Sequence, residues 1–179
     1  MRVLLLYSVV AAGLATTSPA TIYIETGDAG DSPGTAQIAA GSGPLTSILG
    51  QIDSSADDDI YRIRISDPAS FSASTNNTGT QLSVDGDTIL FLFDEFGFGI
   101  VANDDDPEDI DSLKAALPAG SFSGPPGTYL LAISIFRNVP RNAFAEEIFP
   151  TLPVQVRGAN SLIGRSIPAR SRQVRIVWI

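Results

Sequence analysis

The sequence predicts an all-β protein, an antiparallel β-sandwich of jelly-roll type. Three observations carry that prediction. The apolar runs are of strand length and alternate with clusters of Gly, Pro, Ser, Asp and Asn, which punctuate strands and turns. Helical periodicity is nearly absent. One run, Thr88–Phe93, is apolar on both faces, as a strand is when both sides of its sheet are covered. Many short strands at this spacing suit a sandwich or jelly roll.

The elements follow in order. Arg2 and the apolar run Val3–Leu14 have the form of a secretory signal, too short for an ordinary membrane span. Small residues at Gly13/Ala15 or Ser18/Ala20 offer cleavage points. The expected division is therefore a signal over residues 1–20 and a single domain over 21–179. Gly27–Gly43 is rich in Gly, Ala, Ser and Asp and predicts a loop with one short strand near Ala36–Ala39. Ile60–Ile65 alternates, with Tyr61, Ile63 and Ile65 inward and Arg62 and Arg64 outward. Phe71, Ala73 and Thr75 suggest a short strand after the Asp67-Pro68 turn.

In Thr88–Phe93, Ile89, Phe91 and Phe93 point one way and Leu90 and Leu92 the other. Asp94-Glu95-Phe96-Gly97 predicts the turn, with Gly97 able to take a positive φ. Phe98–Ala102 is the return strand, and of Phe91, Phe93, Phe96 and Phe98 all but Phe96 are expected in the core. Ser112–Leu117 is a weaker strand, closed by Pro118-Ala119-Gly120. After the Ser121–Gly127 loop, Thr128–Phe136 is the longest apolar strand and is expected at the sheet centre. Ala143–Ile148 suits one helical turn or a loop. Val174, Ile176 and Trp178 alternate with Arg175 and Val177, the pattern of a closing edge strand with Trp178 in the core. Tyr61 and Tyr129 sit among apolar neighbours and are expected to pack there.

Composition narrows the chemistry. The 179 residues include no cysteine and no histidine. That excludes disulfides, a Cys or His nucleophile, a Ser-His-Asp triad and the usual zinc shells. Lys114 is the only lysine. The abundant potential ligands are oxygens, which favour calcium over transition metals. The span from Glu25 to Glu147 holds all 20 acidic residues and five basic ones, a net charge of −15. Arg157, Arg165, Arg170, Arg172 and Arg175 follow it without any acid. An acidic body of this kind does not suit nucleic acid or an anionic membrane; it attracts cations or a basic partner.

Two acidic strings are candidate calcium sites. Asn103, Asp104 and Asp105 open the run to Asp109, and Asp57, Asp58 and Asp59 precede the Ile60–Ile65 strand. Calcium takes six to eight oxygens, and Asp and Asn beside backbone carbonyls supply several. Neither string is an EF-hand loop. The alternatives are a solvated rim at Asn103–Asp109 and a charged turn at Asp57–Asp59. Glu25, Asp28 and Asp31 complete a shared site if the first loop folds back. Loop carboxylates exposed to water and to one another keep ordinary acidities. A glycosidase pair needs two acids at a set separation across a cleft, one of them with a raised pKa, and the chain is expected not to be an enzyme. It also lacks a phosphate-binding Gly loop and the G-x-S-x-G and H-E-x-x-H motifs.

Several phrases together resemble the bacterial pre-peptidase C-terminal (PPC) domain: DDDIYRIRI at Asp57–Ile65, DTILFLFDEFGFGIVANDDD at Asp87–Asp106 and GTYLLAIS at Gly127–Ser134. The likeness is greatest to secreted PPC-like proteins often found with PEP-CTERM sorting signals, through Asp28-Ala29-Gly30-Asp31, Asn138-Val139-Pro140 and Ile148-Phe149-Pro150. It covers about residues 25–150; the arginine-rich 151–179 departs from it. The resemblance implies a jelly-roll sandwich serving as a non-catalytic accessory module. It also implies calcium near the start of the sandwich, with Asp57–Asp59 at an acidic D-x-D-x-Y-type motif and Asn103–Asp105 at an N-D-D motif.

The function expected is that of a secreted, periplasmic or cell-surface bacterial module. It is calcium-stabilised and binds an extracellular protein or polysaccharide. A structural matrix protein without a specific ligand is the alternative, and a carboxylate-dependent hydrolase a distant third.

Overall fold

The computed structural model of the chain describes residues 18–75, 86–109 and 113–150. Every regular element among them is a β-strand, so the protein is all-β, as its strand-length apolar runs predict. The strands are β1 (Thr21–Ile24), β2 (Gln37–Ile38), β3 (Leu45–Leu49), β4 (Asp58–Ile65), β5 (Ala73–Ser74), β6 (Thr88–Asp94), β7 (Gly99–Asn103), β8 (Ala116–Leu117) and β9 (Gly127–Ile135). The predicted signal (residues 1–17 of it), the Val174–Trp178 strand and the arginine-rich end lie outside the described residues. No helix among those described is long and apolar enough to cross a membrane.

Five strands form the main sheet in the order β2-β4-β9-β6-β7. The longest strand, β9, is central. It pairs antiparallel with β4 from Asp58↔Ser134 to Ile65↔Gly127, and with β6 from Thr88↔Ile135 to Asp94↔Tyr129. A run with no polar face is stable only where both faces are covered, and β6 is buried from Thr88 to Phe93. Its Leu90 and Leu92 join Tyr61, Ile63, Ile65 and Tyr129 on one face, packed against Tyr23, Leu45, Ile48, Ala73 and Leu117. Those partners come from two small sheets, parallel β1-β3 and antiparallel β5-β8. Its Ile89, Phe91 and Phe93 join Ile60, Leu130 and Ala132 on the other face, under Val139, Ile148 and Phe149. Truncating a phenylalanine as buried as Phe91 or Phe93 costs about 3–5 kcal/mol in such a core.

The hairpin turn forms as its residues dictate. Asp94 Oδ1 accepts the backbone N–H groups of Phe96 and Phe98, both at 2.9 Å, and Gly97 takes φ 91°. Phe96 is 72% exposed, as expected. Phe98 is not in the core: it is 37% exposed, because it precedes β7, which has only β6 as a strand neighbour in its sheet. The strand expected over Phe71–Thr75 shrinks to Ala73–Ser74, and that over Ser112–Leu117 to Ala116–Leu117. Strands β1 and β3, which pair with each other in parallel, are absent from the sequence reading. Ala143–Ile148 is a loop. There the Arg141 guanidinium donates to Glu147 Oε1 at 2.8 Å, and Asn142 Oδ1 accepts from Phe144 N and Glu146 N.

Candidate metal centre

The site lies where β4 begins and the first loop folds back over it. Successive strand residues face opposite ways, so the string Asp57-Asp58-Asp59 cannot act as one ligand set. Asp59 shares the face of Tyr61, Ile63 and Ile65; Asp58 faces the other side. Asp58 Oδ1 accepts from Asn138 Nδ2 at 2.8 Å, which ties β4 to the segment after β9. Burial, with the Asp31 charge second, lifts the Asp58 carboxyl to about 7, against the lowering effect of the Asn138 hydrogen bond.

Glu25 follows β1 and holds two segments together. Its Oε1 accepts from Ala29 N and its Oε2 from Gln51 N, both at 2.8 Å. The loop between Glu25 and β2 is shaped by Gly27 and Gly30, at φ 68° and 71°, a region open to glycine. Gln37 Nε2 donates to the carbonyls of Thr26 and Asp28 at 2.9 and 3.0 Å, while Gln37 Oε1 accepts from Tyr23 Oη at 2.7 Å. This fastening sets Asp28 and Asp31 over the end of β4. Gly50 keeps space for the carboxylate opposite: a Cβ there would collide with Glu25 Oε2 and Tyr61 Oη.

Two groups of carboxylates converge as a result. Glu25, Asp28 and Asp59 form one, and Asp28, Asp31 and Asp57 the other; within each, the candidate ligand oxygens all lie within 4.8 Å of one another. Asp28 belongs to both. A calcium ion with oxygens at about 2.4 Å spans up to roughly 4.8 Å between opposed ligands, so the spacing fits a cation of that size. Two full negative charges at this distance repel by about 3 kcal/mol at an effective dielectric near 20.

Asp59 is the decisive residue. It is 1% exposed, and its Oδ1 is buried without a hydrogen-bond partner. Burial first, then the charges of Glu25, Asp57 and Asp28, push its carboxyl up to about 8, with the nearby Tyr61 hydroxyl acting the other way. Burial and the Asp59 and Glu25 charges raise the Tyr61 hydroxyl as well. Asp31 is raised by burial and by Asp28 and Asp57. A buried oxygen among like charges lacks a positive partner, and a bound cation supplies one. These residues can hold a metal ion. The expectation that the carboxylates keep ordinary acidities is corrected here: Asp58 and Asp59 belong to a buried strand, and desolvation is the first cause of both shifts.

The second acidic string behaves differently. Asn103 ends β7 and its Nδ2 donates to Ala116 O at 2.8 Å. Asp105 offers its backbone carbonyl to Ala116 N, and Asp106 Oδ1 accepts from Glu108 N at 2.9 Å within a turn closed by Asp109 N to Asp106 O. Asp104 is buried, with Oδ1 unpartnered, and is raised by burial and then by Asp105. Among the described residues, neither Asp104 nor Asp105 belongs to a converging group.

Sequence reasoning named Glu25, Asp28 and Asp31 as residues that complete the site if the loop folds back, and the loop does so. It took Tyr61 only as core. The Tyr61 position, two residues after Asp59 on the same strand face, was the available signal. Comparison of the chain with protein-family models, with curated proteins and with solved structures finds no match in any of the three.

Proposed function

We propose that this chain is a calcium-stabilised, non-catalytic jelly-roll module of PPC type, exported from a bacterial cell, that binds a protein or polysaccharide outside it. The single observation that carries the calcium reading is the unpartnered Asp59 Oδ1, buried where Glu25 and Asp28 converge. Calcium tolerates a crowded set of oxygens, and the remaining positions fall to backbone carbonyls and water. Its charge offsets the mutual repulsion of the carboxylates and fixes the first loop to β4. The jelly-roll reading is supported by the two small sheets whose side chains pack on one face of the main sheet. Export rests on Arg2 and Val3–Leu14, and the extracellular binding role on the PPC-like phrases.

A hydrolase is the competing reading, favoured by one observation: Asp59, with its raised pKa, also lines a groove beside β3. Geometry weighs against it. Retaining glycosidases hold their carboxyl pair about 5–5.5 Å apart and inverting ones about 6.5–9.5 Å, whereas ligand oxygens of Glu25, Asp28 and Asp59 lie within 4.8 Å of one another.

The test is calcium titration followed calorimetrically and by thermal melting. Saturating calcium at one hundred times Kd stabilises the fold by about 2.7 kcal/mol, a shift of roughly 5–10 °C for a domain of this size. Identical melts in calcium and in chelator, with no heat of binding, would sink the metal reading. Retention on a glycan or matrix-protein array supports the binding role; an empty array favours a structural matrix protein.

A further inference from the structure

We draw no further inference here: the strongest candidate, the groove between β3 and β5 that runs over Ile63, Leu90 and Ile133 of the main sheet, carries nothing, because nothing in the structure shows what covers it and its one carboxylate, Asp59, belongs to the site already described.

Discussion

The two acidic strings of this protein look alike in sequence and differ in space. Asn103–Asp109 packs five carboxylates into seven residues, yet Asn103 and Asp105 bond to β8, Asp106 is held in a turn, and the buried, unpartnered Asp104 Oδ1 belongs to no converging group of carboxylates among the described residues. Asp57–Asp59 is shorter, and alternation along β4 divides it between two faces. It becomes a candidate site only because Glu25, Asp28 and Asp31 arrive from another part of the chain. Charge density along the chain does not by itself bring carboxylates together; here the return of the first loop over β4 does.

The comparison can be broken most forcefully at Glu25. Glu25→Ala removes the acceptor for Ala29 N and Gln51 N together with one converging carboxylate. It is expected to cost roughly 1.5–3 kcal/mol in calcium, the range for hydrogen bonds to a charged group, and to abolish the calcium-dependent rise in melting temperature. A Glu25→Ala protein that melts like the wild type in calcium would remove Glu25 from the account.

A pH series sharpens the contrast next. The fold holds Asp58 and Asp59 protonated above their ordinary value of 3.8, to about 7 and about 8. A carboxyl raised by folding favours the folded state fully below its unfolded pKa, and that preference is lost as pH rises through the folded value. Without metal, stability should therefore fall between about pH 4 and pH 8. Calcium at the proposed site competes with the proton on Asp59, so its affinity should rise over that window. A metal-free melting curve that climbs from pH 4 to 8 would contradict the sign. Asp58→Asn should flatten part of the fall and leave calcium binding intact, since Asp58 belongs to neither converging group.

Smaller effects are expected around the site and away from it. Gly50→Ala introduces a Cβ against Glu25 Oε2 and Tyr61 Oη; displacing that carboxylate should weaken calcium binding by about tenfold, or 1.4 kcal/mol. Unchanged affinity would show that Glu25 can shift without penalty. Asp106→Asn, in the exposed turn of the other string, should change stability by no more than about 0.5 kcal/mol and leave the calcium response alone.

Much of the fold was legible because local pattern decided it. The alternation in Ile60–Ile65, the two apolar faces of Thr88–Phe93 and the Asp94–Gly97 turn each state their role within a few residues. Strands β1 and β3 were not legible, because their parallel pairing joins segments with no local signature of partnership. Phe98 misled because an aromatic beside a strand reads as core whether or not a further strand covers it. At the site, residue types pointed to oxygen ligands, and the first loop was recognisable as a partner. What remained hidden was burial: Asp58-Asp59 reads as solvated loop, and only the sheet, with Tyr61 beneath and the first loop above, makes Asp59 a desolvated acid.

The most direct measurement sets the two strings against each other. Melting temperatures of wild type, Asp59→Asn and Asp104→Asn are compared in saturating calcium and in chelator. The account predicts that wild type and Asp104→Asn both gain several degrees in calcium, while Asp59→Asn gains almost nothing and melts no lower than wild type in chelator at pH 8. A calcium response that survives in Asp59→Asn and disappears in Asp104→Asn would place the cation in the other string and contradict the central claim.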